Sequence, residues 1–383
     1  SGTRCCAAFP DDHQPTASWY DAPVKRFLQI AGGLAISGVA LWFTLRGKDL
    51  GAIWGAAQQA DYRWLVPYVG VLALIHLART VRWGILLEPV AKVPFSKLNA
   101  VSAVGFMALM ILPFRIGEFA RPYLIAERPR IRVSATLSSV VVERVADGLF
   151  TAALLVITLL AVPEGTPGLH LLRVAGLVVF AVFGALLAFL VVAYRNRALA
   201  VRFTHRMLDP VSTRLADRAS AMMDAFIHGL RLVPSRSKVA AFFLLTAAYW
   251  CLNAWGMAVL ARAFDVQLNL VQAFTVLGVL VVGVMIPAGP GMVGTFQAAT
   301  VLGLSLFVPG SVLDTKGTAY ANVLWAVQIA FTTVLGTFFL FSRHIRIAQI
   351  FSAPAEVEEG LEEEEREYVA DGDGAPPPGK HPR

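Results

Sequence analysis

The sequence predicts an all-α polytopic membrane protein of about six full spans plus two oppositely oriented re-entrant helical hairpins, inverted-repeat-like in plan. Three observations lead there. Of 383 residues, 56% are hydrophobic and only 15% charged, well below the roughly 25% charged residues of soluble chains. Several apolar runs reach the roughly 20 residues that cross a hydrocarbon core. Two such runs are broken by proline and glycine, at Leu112–Tyr123 and at Ile286–Gln297. A break inside lipid strands backbone groups, so it belongs against protein or a wet cavity. Paired breaks in the two halves of a membrane protein point to a binding site near the bilayer midplane.

Taken in order, residues 1–24 form a polar, proline-bearing leader with no secretory signal pattern. Cys5 and Cys6 lie in it, and with Cys251 they make no disulfide or zinc framework. A lipidated Cys5-Cys6 pair, an unstructured leader and an expression scar at Ser1-Gly2 all remain open. Lys25-Arg26 precedes the first span, Phe27 to Leu45, placing the N-terminus in the cytoplasm. After a polar link, the second span runs from Trp64 to Leu87. Arg79 and Arg82 crowd its cytoplasmic end, where basic side chains either snorkel to the interface or meet phosphate. The first broken segment, Ser96 to Ile125, has basic flanks on both sides, so it is expected to enter from the cytoplasm and return.

A third span, Ala135 to Val162, contains Glu143, Arg144 and Asp147. Glu143 and Asp147, four apart, share one helix face, with Arg144 about 100° away. Three ionisable groups in an apolar helix need partners, and Arg115 and Arg121 are the natural ones. A structural ion-pair network and a network that also binds a charged ligand both fit. The span Leu169 to Tyr194 returns to a basic segment, 195–238, with nine Lys/Arg against three Asp. That segment reads as an interfacial helix pair facing anionic headgroups. Residues 239–262 cross outward. The second broken segment, Val271 to Phe307, has few flanking charges and enters from the opposite side. Thr318 to Phe341 ends the membrane domain, 25–346, at the basic Arg343-His-Ile-Arg346.

Residues 347–383 make an acidic, Pro/Gly-rich tail, read as disordered. From Pro354 it carries ten Asp/Glu and three Lys/Arg, leaving residues 1–353 with 30 basic against 16 acidic side chains, or +14. Basic cytoplasmic loops explain that excess better than a nucleic acid does. Both termini are placed in the cytoplasm of a bacterial-type inner membrane. An alternative of eight full crossings would leave Arg128, Arg130 and Arg132 outside.

Gly289-Pro-Gly-Met-Val-Gly294 matches the letters of a dinucleotide fingerprint, but it follows a long apolar helix instead of a strand. An unwound membrane helix fits better: Gly289, Gly291 and Gly294 permit the unwinding, and Gln297 adds a hydrogen bond to an anion at the helix end. A plain packing break is the other reading. No P-loop, spaced histidine pair or nucleophile turn is present, so neither cofactor nor metal is expected.

These motifs resemble the flippase-like membrane domain of the lysylphosphatidylglycerol synthase family. The resemblance rests on Leu112-Pro-Phe-Arg-Ile-Gly-Glu-Phe-Ala-Arg121, Val142-Glu-Arg-Val-Ala-Asp147 and Pro287-Ala-Gly-Pro-Gly-Met-Val-Gly-Thr-Phe-Gln297, with Arg79–Trp83 also similar, and covers about residues 27–345. Members commonly carry Glu where this chain has Gln297. In full-length members the resemblance implies a domain moving an aminoacylated lipid between leaflets, made by a separate soluble domain. This chain has no room for that domain after its last span, so aminoacyl transfer is not expected and the protein is expected not to be an enzyme.

The expected function is therefore to bind a phospholipid or other polar lipid at a midplane ionic cavity in the bilayer and carry it across. Arg115, Arg121 and Arg144 are expected to contact phosphate. Glu118, Glu143 and Asp147 would hold those arginines or meet a cationic headgroup. A homo-oligomer is compatible with this plan. A scaffold for a lipid-modifying enzyme, and a membrane-embedded enzyme on lipid-linked substrates, are the alternatives.

Overall fold

A computed structural model describes residues 21–112, 117–126, 133–209, 227, 235–286, 289–342 and 360. Arg115, the arginines 128–132, most of the basic 195–238 segment and nearly all of the acidic tail lie outside the described residues. Among the described residues every regular element is helical. The chain runs α1 (Asp21–Leu45), α2 (Leu50–Gln58), α3 (Leu65–Leu87), α4 (Phe95–Ile111), α5 (Ala120–Ala126), α6 (Val133–Leu159) and α7 (Leu169–Arg195). It continues through α8 (Arg197–Leu208), α9 (Arg236–Ala261), α10 (Leu270–Gly283), α11 (Thr295–Leu304) and α12 (Thr318–Ser342).

Among the described residues four helical stretches are long and apolar enough to cross a membrane: Tyr62–Leu87, Leu169–Arg195, Arg236–Phe264 and Gly310–Phe341. The helix α6 matches them in length, at 27 residues, but carries the Glu143, Arg144 and Asp147 charges. Ala31–Leu45, α4 and α10 are apolar and shorter. The large apolar side chains of α7, among them Leu171, Leu177, Val178 and Val182, are exposed. In water such a face would be costly; against acyl chains it is neutral. The protein is a multi-pass membrane protein.

The span limits read from hydropathy hold to within a few residues for α3, α6, α7 and α9. The link 46–63 is less plain than its polarity implied. It contains α2, whose first N–H groups are taken by Asp49: its Oδ1 accepts from Gly51 N at 2.8 Å and Ala52 N at 3.1 Å. Side-chain caps recur. Asn269 and Gln272 exchange side-chain-to-backbone bonds of 2.9 and 3.0 Å that start α10.

Each broken segment folds back on itself. A Cβ on Gly105 would meet the Arg121 side chain, and one on Gly117 would meet the backbone of Ala108 and Leu109. Contacts whose residue numbers fall on one strand as they rise on the other define an antiparallel pair, so α5 returns along α4. Likewise Gly283 abuts Ala299 and Gly303 abuts Val276, which pairs α10 antiparallel with α11. Small residues let these backbones close up, the usual device for packing helices in lipid. The α10–α11 pair, α3, α9 and α12 share the largest core, which includes Tyr68, Trp250, Phe264 and Tyr320. A second core joins Trp83, Val104, Leu124 and Val140, from α3, α4, α5 and α6.

Candidate functional site

At the meeting of α3, α5, α6 and α9 lies a lattice of buried charge. Arg82 of α3 reaches Asp147 with both terminal nitrogens, Nη1 to Oδ1 at 2.5 Å and Nη2 to Oδ2 at 2.8 Å. The same Nη2 donates to Glu143 Oε1 at 2.9 Å. The other oxygen of Glu143 accepts from Arg121 Nη1 at 3.1 Å. Glu143 therefore bridges two arginines. Relative exposures are 1% for Arg82 and Arg121, 0% for Glu143 and 7% for Asp147. Neutral groups complete the cage: Trp250 Nε1 donates to Asp147 Oδ1 at 3.2 Å, and Thr246 Oγ1 accepts from Arg82 Nη1 at 3.3 Å. Aromatic faces cover the guanidinium groups, with Arg121 4.5 Å from the Phe106 ring centre and Arg82 4.8 Å from that of Tyr249. Bidentate geometry and additional donors are the conditions under which a desolvated ion pair is tolerated.

Two arms extend from the lattice. Arg144, turned away from Glu143 by the helix step, pairs with Glu118 at 3.7 Å, and both side chains are part-exposed. Arg79, one turn before Arg82, lies 3.9 Å from the Phe106 ring centre and donates to Tyr249 Oη at 3.1 Å.

Behind Glu143 the wall of α6 faces a groove of about 610 Å³ between α6, α7 and α9. Val142, Ala146, Leu149, Phe180, Leu187 and Phe242 line it. Phe242 lies in contact with both regions, its ring centre 5.6 Å from the Arg82 guanidinium carbon. An apolar slot thus runs beside a charged one, the pairing that an amphipathic ligand requires.

The second break is anchored elsewhere. Gly289 N donates to Ser37 Oγ of α1 at 2.9 Å, and Trp325 Nε1 of α12 donates to Gly291 O at 2.7 Å. Gly291 and Gly294 have φ of +71° and +85°, which glycine adopts without steric cost. A Cβ on Gly294 would collide with Ser37 O, so α1 crosses the break in backbone contact.

Of the residues singled out by sequence, Glu143, Asp147 and Arg121 come together, and Arg144 joins Glu118. Arg115 lies outside the described residues. Two expectations need correcting. Arg82 does not snorkel: it is the hub of the lattice, because Tyr68, Ile75 and Arg82 recur every seven residues on the buried face of α3. Arg79 is likewise turned inward, onto Phe106. The Oε1 of Gln297 accepts from Gly294 N at 2.7 Å, capping its own helix, a bond that a glutamate oxygen would also accept. Sequence reasoning also missed Tyr249, Trp250 and Thr246. Their spacing on α9, at i, i+3 and i+4, was the available signal, hidden by the aromatic content of the whole helix.

Broken helices closing on one another beside a buried ionic lattice define a polytopic membrane protein with an internal polar site. Residues 30–336 match the family model described as lysylphosphatidylglycerol synthase TM region, and the chain belongs to that family. No curated protein matches the chain.

Proposed function

We propose that this protein is a lipid transporter of the flippase type, which shelters a polar (phospho)lipid headgroup beside the Arg82–Glu143–Asp147–Arg121 lattice and passes the lipid between leaflets. The carrying observation is the adjacency of that lattice to the 610 Å³ apolar groove. A headgroup alone in hydrocarbon costs many kcal/mol, and fixed charges and hydrogen-bond donors replace its water. Family membership supports a lipid as the cargo.

The topology in this reading has six spans and two re-entrant hairpins from opposite sides, with both termini cytoplasmic in an inner membrane. Helix lengths favour it. At 1.5 Å per residue, the 17 residues of α4 and 14 of α10 extend about 25 and 21 Å, short of the roughly 30 Å hydrocarbon core. Their partners α5 and α11 are shorter still. No chemical step on the lipid is part of the proposal.

Reconstitution of the full chain in vesicles with a fluorescent phospholipid tests it, leaflet exchange being read by quenching of the outer pool. Wild type should exchange lipid well above protein-free vesicles. Ala146→Phe, which obstructs the groove and touches no charge, should slow exchange about tenfold. Exchange at the protein-free rate, or indifference to both Ala146→Phe and Glu118→Gln, would defeat the reading.

A further inference from the structure

We infer that a small cavity walled by Arg79 is the place where a singly charged phosphoryl oxyanion binds, the phosphodiester of a lipid headgroup being the source implied by the transport reading on which this rests. The inference begins with a charge count. The lattice and its arms contain Arg79, Arg82, Arg121 and Arg144 against Glu118, Glu143 and Asp147. Three arginines pair with the three carboxylates. Arg79 is left over. Among the described residues it makes no ion pair, and its contacts are the faces of Phe106 and Tyr249 and the Tyr249 hydroxyl. Ring faces supply about 0.5–2 kcal/mol to a cation, while removing an ion from water costs several. Among the described residues, one positive charge thus stands uncompensated within the helix bundle.

That charge faces a cavity. Between α3, α4, α9 and α12 lies a space of about 50 Å³, lined on its polar side by His76, Arg79, Asn253, Gln328 and Thr332. That is room for a few waters or one compact polar group. It cannot hold a whole lipid, so chains and glycerol would remain outside. The donors suit an oxyanion: the free guanidinium N–H groups of Arg79, the hydroxyl of Thr332 and the second amide hydrogen of Gln328, whose first goes to Tyr68 Oη at 3.0 Å. Charge selects the diester. A diester carries one negative charge and neutralises Arg79, whereas a monoester carries about −1.5 to −2 at neutral pH and would leave excess negative charge in a low-dielectric site. The paired arginines need no further anion; the unpaired one does.

Full-length protein in maltoside micelles tests this with soluble probes: dihexanoyl phosphatidylglycerol, dihexanoyl phosphatidic acid and inorganic phosphate, followed by ³¹P line broadening. The diester should bind saturably and more tightly than the monoester. Arg79→Gln should weaken it at least tenfold, Arg79→Lys less than threefold, and Thr332→Val a few-fold with the fold untouched. Inorganic phosphate binding as tightly as the diester would keep the oxyanion site but remove the lipid as its source. Diester affinity unchanged within twofold in both Arg79→Gln and Thr332→Val would overturn the site. Lipid exchange that survives Arg79→Gln but not Ala146→Phe would sink the site and leave the transport reading standing. Diester binding without exchange would do the reverse.

Discussion

Glu143 is the carboxylate that bridges the two arginines of the lattice, and Glu143→Gln isolates its charge with almost no change of shape. In the native protein Arg82, Arg121, Glu143 and Asp147 sum to zero charge, all of it buried. The substitution leaves Arg82 paired with Asp147 but strands Arg121, whose Nη2 already has no hydrogen-bond partner among the described residues. Breaking a buried pair by removing one member costs about 3–5 kcal/mol. The amide oxygen keeps one hydrogen bond, so the lower end, about 3 kcal/mol, is expected. Glu118→Gln is the internal control. Its pair with Arg144 is longer, at 3.7 Å, with side chains 25% and 30% exposed, and pairs of that kind are worth at most about 1 kcal/mol. Unfolding in mixed micelles by titration with a denaturing detergent measures both. A further variant, Arg121→Gln with Glu143→Gln, restores neutrality and should recover part of the loss. The electrostatic account is wrong if Glu143→Gln and Glu118→Gln cost the same, or if the double variant is less stable than Glu143→Gln alone.

Other outcomes follow from the second break and the groove. Gly294→Ala meets both a left-handed backbone, costing about 1–2 kcal/mol for a side chain, and the Ser37 carbonyl, and should abolish folded protein on size-exclusion chromatography. Gly165→Ala has a similar φ of +84° but open space around it, so it should cost only about 1 kcal/mol in the same unfolding titration. Gln297→Leu strips the buried N–H of Gly294 of its acceptor and should cost about 1–3 kcal/mol, without the change in lipid affinity that a ligand-contacting residue would show. Ala146→Phe should slow exchange in vesicles while leaving the unfolding midpoint within about 1 kcal/mol of wild type, since the groove it enters is empty of protein atoms.

The break at Gly289–Gly294 shows why a glycine-rich pattern is ambiguous when read along the chain. In lipid an unwound turn must satisfy its backbone groups within the protein. The letters permit either a ligand or another helix to do so. Here Ser37, Trp325 and Gln297 make the bonds, and two of those three come from distant helices.

What the sequence determined by itself is what depends on local composition and period: the membrane class, the helix limits, the two breaks and the shared face of Glu143 and Asp147. Hydrophobic run length and the 3.6-residue repeat are properties of consecutive residues, so they are visible without a fold. Partnership was decided by the tertiary structure alone. Arg82 and Arg121 both stand in apolar helices within reach of an interface, and nothing in their neighbours says which carboxylate each will meet. Only the packing of α3, α5, α6 and α9 brings residues 65 positions apart, Arg82 and Asp147, to hydrogen-bond distance. Among the described residues it also leaves Arg79, alone of the four, with no carboxylate to meet.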